Sequence, residues 1–173
     1  MKRSRDYLLV DGYNIVNSWP ILREIAEESL ENARLKLINI LQDYQGYVGN
    51  NIIVVFDAHL KERGIERHEY FGKVHVVYTK EGETADQYIE RWVNDRGRKY
   101  KIMVASSDYV EQTIILARGG IRISARELYI DIQMATKNRN EKYLYKEKMD
   151  GNHLSDNLNP EIFEVLERMR RQR

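Results

Sequence analysis

Apolar runs and polar stops alternate along this chain in the rhythm of a βα protein. Tyr7-Leu8-Leu9-Val10 reads as a short buried strand that stops at Asp11-Gly12. Ser18 is placed to cap a short helix that carries Pro20 in its first turn. Leu30, Ala33, Leu37, Leu41 and Tyr44 recur at helical spacing, so an amphipathic helix is expected, ended by Gly46 and by Gly49-Asn50-Asn51. The β-branched run Ile52–Phe56 predicts a central strand that hands over to Asp57. Residues 58–73 have mixed charge and no clear period, and read as a long loop or a broken helix. Val74–Tyr78 predicts another strand, followed by a turn at Lys80-Glu81-Gly82-Glu83. Thr84 with Gln87 forms a capping box for a helix to about Arg96.

The alternation continues downstream. Ile102–Ala105 predicts a strand, and Asp108 opens a helix through Ala117 that Gly119-Gly120 ends. Ile121–Ile123 predicts the last strand, and Ser124 with Glu127 a second capping box for a helix to about Thr136. Residues 137–158 turn polar, with Asp150-Gly151-Asn152 as a turn, and Asn159-Pro160-Glu161 starts a helix with Ile162, Phe163, Leu166 and Met169 on one face. The expected fold is α/β, a three-layer sandwich with a mainly parallel central sheet and a C-terminal helical extension. The expected organisation is a domain over 1–136 and a basic extension over 137–173 packed on it.

Composition changes this picture little. With 42% hydrophobic and 32% charged residues in 173, an ordinary globular core is expected. The chain has no cysteine, which excludes disulfides, thiolate metal sites and a cysteine nucleophile. No run is long enough for a membrane span and the N-terminus turns polar too soon for a signal peptide, so a cytoplasmic location is expected. Net charge is only +1, but basic residues gather at the margins: Lys2, Arg3 and Arg5; Lys137, Arg139, Lys142, Lys146 and Lys148; and Arg168, Arg170, Arg171 and Arg173. Each run is either a solvated face or part of a track for a polyanion.

Candidate chemistry sits at the ends of the apolar runs. Asp11, Asp57 and Asp108 follow strands and Asp86 lies in a helix's first turn, so right-handed βα connections bring all four to the edge where open α/β sheets bind ligands. Taken singly, each is also an ordinary turn, cap or dipole-favoured residue. Taken together, four carboxylates would resist ionising unless a cation lay between them. Oxygen donors without thiols suit Mg²⁺ or Mn²⁺, and the simplest chemistry is metal-assisted phosphodiester hydrolysis. Asn14 either turns its amide into the same cleft or closes a turn, and Ser106 and Ser107 either donate to a phosphate or cap a helix. The dinucleotide fingerprint, the P-loop and the nucleophile elbow are all absent, and Tyr13 stands where a phospho-aspartate phosphatase would need a second acid. The four histidines show no paired ligand spacing.

Asp11-Gly-Tyr-Asn, Phe56-Asp57, Thr84-Ala-Asp86-Gln-Tyr-Ile-Glu90 and Ser106-Ser-Asp108, taken as a set, resemble the NYN-domain ribonucleases of the PIN-like group, in their YacP-like bacterial branch. The resemblance covers residues 7 to about 136, and extends less distinctly to the end. It implies a metal-dependent endoribonuclease in which Asp11, Asp86 and Asp108 hold one or two Mg²⁺ or Mn²⁺ ions, Asp57 is the fourth acid and Asn14 lies beside them. It also implies RNA handled during translation, so a ribosome-bound substrate enters as a candidate. Lys61, Arg63, Arg67 and Lys73, with Lys137, Arg139 and Lys142, are candidates to hold an RNA backbone. Tyr13 and Trp19 either stack on unpaired bases or pack in the core, with packing favoured for Trp19. No small-molecule cofactor and no membrane partner is expected. The rival readings are a non-catalytic RNA- or ribosome-binding module with the same fold, and a metal-dependent phosphatase for a small ester.

Overall fold

In the computed structural model, residues 6–58, 64–107 and 120–156 are described, with side chains through Lys146. The chain divides into two compact units, Met1–Ala135 and Thr136–Arg173. Five apolar runs become strands where the pattern places them: β1 (Tyr7–Asp11), β2 (Asn51–Phe56), β4 (Val74–Tyr78), β5 (Ile102–Ala105) and β6 (Ile121–Ile123). A sixth, β3 (Arg67–Phe71), forms within the stretch expected to be a loop or broken helix. Its pattern carries no signal because it is a largely exposed edge strand in which only Phe71 reaches the core. A two-residue turn at Gly72-Lys73 joins β3 to β4, with Gly72 at the positive φ of 58° that such turns favour.

The strands form one sheet in the order β3-β4-β2-β1-β5-β6. All neighbours are parallel except β3 and β4. Helices α1 (Gly12–Ser18), α2 (Pro20–Glu28) and α3 (Leu30–Val48) connect β1 to β2, and α4 (Ala85–Arg96) connects β4 to β5. The last described helix is α5 (Ala125–Asp156).

Period-two alternation sorts side chains into two layers. Leu8, Val10, Ile52, Val54, Phe56, Val74 and Val76 pack with α1, α2, α3 and the start of α5. Leu9, Ile53, Val55, Val77, Ile102 and Val104 pack with α4. The chain moves from β1 out to β2 and β4 and then returns past β1 to β5. The topological switch point therefore falls between β1 and β5, with its crevice at their carboxyl ends.

Three helix boundaries differ from expectation. Gly46 lies inside α3, which runs on to Val48 and ends at Gly49 with φ 77°. Ser18 is the last residue of α1 rather than a cap. Its hydroxyl donates to the Asn14 carbonyl at 2.7 Å, while Trp19 takes the N-cap position of α2 ahead of Pro20. Helix α5 passes through Thr136 and through the expected turn at Asp150-Gly151-Asn152 without a break. A single glycine costs a helix only about 1 kcal/mol, and the Glu, Lys, Leu and Met residues around it are strong helix formers. The helix expected from Asp108 and the one expected from Asn159-Pro160 lie outside the described residues.

Candidate active site at the carboxyl edge of the sheet

Asp11 is the last residue of β1 and the N-cap of α1, and its Oδ1 accepts the Asn14 N–H at 3.2 Å. The tight entry into α1 depends on Gly12. A Cβ there would stand 2.2 Å from Phe56 Cε1, so only hydrogen fits between α1 and β2. Alternation along β1 and β2 turns Asp11 and Asp57 to the α4 layer, where Asp86 occupies the first turn of α4. The Asp57 carboxylate accepts the Ala85 N–H and so fixes the start of the helix that carries Asp86. The expected capping box is present: Thr84 N–H donates to Gln87 Oε1 at 3.1 Å and Gln87 N–H to Thr84 Oγ1 at 3.2 Å. The β2 exit is pinned to β4, because Ala58 N–H donates to Thr79 Oγ1 at 3.1 Å and Thr79 N–H to the Phe56 carbonyl at 3.0 Å.

Crowding of these acids has an electrostatic consequence. Burial, opposed in part by the Asn14 N–H, pushes the Asp11 carboxyl up from 3.8 to about 7. A hydrogen bond with Asp86 and the charges of Asp86 and Asp57 add to the rise. The donors are all hard oxygens, and a cation between them would relieve the repulsion that raises Asp11, so their chemistry fits Mg²⁺ or Mn²⁺. Among the described residues, no group of three or more His, Asp or Glu is arranged to hold a metal ion. What is present is a hydrogen-bonded carboxylate pair with a third acid close enough to act on it. Asp108, the remaining expected ligand, lies outside the described residues.

Across the crevice, Asn14 Oδ1 accepts the Ser107 N–H at 2.8 Å, so this amide ties the exit of β5 to α1. Ser106 is fully buried and its N–H donates to the Ile123 carbonyl at 3.2 Å. It therefore stands behind the surface, whereas Ser107 is exposed. Glu90, one helical turn after Asp86, is half-buried on α4.

Tyr13 is half-buried, and its hydroxyl accepts from Arg34 Nη1 at 2.9 Å. Trp19 is a packing residue: it is 2% exposed, and its Nε1 donates to the Ala125 carbonyl at 2.8 Å. Arg67 opens β3, and its antiparallel pairing with Tyr78 brings it to the same edge as Asp11. Lys73 goes to the opposite edge, because it precedes Val74, whose partner Ile52 lies at the start of β2. Lys61 and Arg63 lie outside the described residues. Lys137, Arg139 and Lys142 belong to the second unit, on α5. His68 and His75 hydrogen-bond each other at 2.8 Å, part of the way along the β3–β4 hairpin rather than at the carboxylate edge.

Arg34 and Tyr78 also belong to this edge and were not foreseen. Arg34 directly follows Ala33 of the apolar stripe of α3, and that adjacency was its only signal. In the sequence Tyr78 reads only as the last residue of a strand.

Residues 8–171 match the YacP-like NYN domain. The protein YacP of Bacillus subtilis (strain 168), described as uncharacterized, is 40% identical over 169 residues, 96% of this chain and 97% of its own. The crystal structure of Rae1 (YacP) from Bacillus subtilis is similar, with a TM-score of 0.69 at 40% identity over 96% of this chain and 95% of that one. A tryptophan-to-leucine mutant of that protein gives 0.70 at 41% identity over 83% of each chain. A carboxylate-lined switch point in a nuclease-type fold and a family match across nearly the whole sequence agree: this chain belongs to the YacP-like NYN domain family.

Proposed function

We propose that the chain is a divalent-metal-dependent endoribonuclease acting on single-stranded RNA. The observation that carries this reading is the half-buried Asp11 carboxylate, whose desolvation, hydrogen bond with Asp86 and nearness to the charges of Asp86 and Asp57 raise its pKa to about 7. Asp11, Asp86 and Asp108 would hold Mg²⁺ or Mn²⁺, with Asp57 in support. Such an ion would supply Lewis-acid stabilisation of charge on a scissile phosphate and would lower the pKa of a bound water so that hydroxide is available. The chain's own residues set the geometry. Asp57 anchors the α4 N-terminus and hence Asp86, and Asn14 anchors Ser107, the neighbour of Asp108. Arg67, an exposed cation at the same edge, would hold the backbone. A cytoplasmic location and the translating ribosome as partner complete the proposal.

One observation favours a second reading. Asp11 and Asp57 each already accept a helix-terminal N–H, as purely structural capping residues would. In that case the fold is a non-catalytic RNA- or ribosome-binding module. Cleavage of a mixed RNA pool separates the two. Wild type, Asp11→Asn and Asp86→Asn would each be run with Mn²⁺, Mg²⁺ or EDTA, with and without translating ribosomes. Metal-dependent cutting that both substitutions abolish is expected. No cutting under any condition, with RNA binding equal in all three proteins, establishes the binding module instead.

A further inference from the structure

The carboxylates face the α4 layer, while the other layer of the same sheet edge carries positive charge on an aromatic base. Phe56, Tyr78 and Arg67 are successive lateral partners across β2, β4 and β3, and alternation turns all three toward α1 and α3. The Phe56 and Tyr78 rings stack at 5.8 Å with 24° between their planes, and the Tyr13 ring meets Phe56 edge-on at 5.1 Å. Two guanidinium groups converge on Tyr78. The Arg67 Cζ lies 4.4 Å from its centroid, and the Arg34 Cζ, approaching from α3, lies 5.9 Å away.

The two guanidinium groups keep donors to spare beside their own partners. Arg67 Nε pairs with Glu69 at 3.1 Å while the side chain stays 64% exposed. Among the described residues, Arg34 donates a hydrogen bond to the neutral Tyr13 hydroxyl, and the Glu31 carboxylate acts on it through its charge. Both guanidinium groups lie over the same ring, so a polyanion passing Tyr78 would meet both. A guanidinium fork matches a phosphate diester, and a ring behind it reduces the entropy lost on binding. The outer face of Arg67 also offers a plane on which an unpaired base can lie. Tyr78 is the lateral partner of the buried Phe56, the residue before Asp57, so the shelf lies at the same edge of the sheet as the carboxylates, on its other layer.

We propose that Arg34 and Arg67, held on Tyr78, grip the phosphodiester backbone of single-stranded RNA beside the carboxylate cluster. This subsite rests on the nuclease reading of that cluster.

The test is fluorescence anisotropy of a short labelled oligouridylate in EDTA, over a series of salt concentrations. Wild type would be compared with Arg67→Gln, Arg34→Gln/Arg67→Gln and the control Arg96→Gln. Arg96 lies over Trp92, which packs on Tyr7 at the start of β1, so it marks the opposite edge of the sheet. The double variant should bind about tenfold more weakly, and the slope of its salt dependence should fall by about 0.7 for each phosphate that is no longer neutralised. Arg67→Gln should show about half of that change in slope, and Arg96→Gln none. Arg67 is exposed, so its single variant keeps the test valid should the double variant fail to fold, which near-UV circular dichroism would reveal. Unchanged binding in the arginine variants, or equal weakening by Arg96→Gln, overturns the subsite. Cleavage by wild type with Mn²⁺ is scored separately. Cutting together with unchanged binding in the variants removes only the arginine grip. Binding loss without any cutting removes only the nuclease reading.

Discussion

Asn14 accepts the backbone N–H of Ser107 across the switch-point crevice at 2.8 Å, joining two segments 93 positions apart in sequence. Its amide is therefore engaged as a strut between α1 and the exit of β5. Asn14→Ala should leave that N–H without its acceptor and cost about 1–2 kcal/mol. RNA cleavage should fall by more than the loss of folded protein explains, with RNA affinity unchanged. Chemical denaturation beside single-turnover cleavage and binding checks this, and a loss confined to affinity would make Asn14 a substrate contact instead.

Gly12 and Phe56 form the tightest approach in the site, and Gly12→Ala should expose it. The added methyl meets the ring at 2.2 Å, so α1 or Phe56 must move. A destabilisation of about 2–3 kcal/mol is expected, as for overpacking elsewhere. Gly12→Ala/Phe56→Leu should recover part of it, giving a non-additive double-mutant cycle in denaturant melts. Full additivity would show that the two sites do not press on each other.

The raised pKa of Asp11 fixes a direction for pH dependence. Its folded-state value of about 7 lies above the unfolded 3.8, so the folded chain binds this proton more tightly. Stability from this group is complete below about 4 and is lost as pH rises through 7. Without metal, Asp11→Asn should therefore melt higher than wild type at pH 8, and the gap should close toward pH 4. Mn²⁺ should raise the melting temperature of wild type at pH 8 and leave Asp11→Asn little changed. Thermal melts at the two pH values, with and without the ion, decide this; a pH-independent gap would remove the electrostatic explanation.

Trp19 separates packing from recognition. Trp19→Phe keeps the six-membered ring's bulk but removes the indole N–H that reaches the Ala125 carbonyl, at a cost of about 1 kcal/mol for that bond. RNA affinity of the folded fraction should match wild type. Weaker RNA binding with unchanged stability would return this residue to a stacking role.

Much of this architecture was legible because its signals are local. Val10, Val54 and Val76 belong to apolar runs that only a buried parallel sheet accommodates, and the aspartates that end two such runs mark its carboxyl edge. The capping boxes at Thr84 and Ser124 were legible for the same reason, each being closed within four residues. Strand β3 was not, because Arg67–Phe71 gains its order from pairing with β4 rather than from a buried face of its own. The length of α5 was hidden by Gly151, a residue that reads as a stop but costs less than the surrounding helix supplies. In the site, Asp11 and Asp57 were visible as strand ends, and the contact of Asp11 with Asp86 depends on β4 and α4 lying beside them. Arg34 was not visible, since its partners Tyr13 and Tyr78 are distant in sequence and meet it only once α3 has packed.

The antiparallel strand at one border of the sheet has a colloidal consequence. An unpaired strand edge is a template on which another chain can add, and long, flat, apolar edges invite it most. Here that border is five residues long and reads Arg67-His68-Glu69-Tyr70-Phe71, with charges of both signs at its start. A parallel border made of β4 would instead have offered Val74-His75-Val76-Val77-Tyr78 to its surroundings. By pairing a charged hairpin arm along that run, the chain keeps an apolar backbone edge from being offered to another chain.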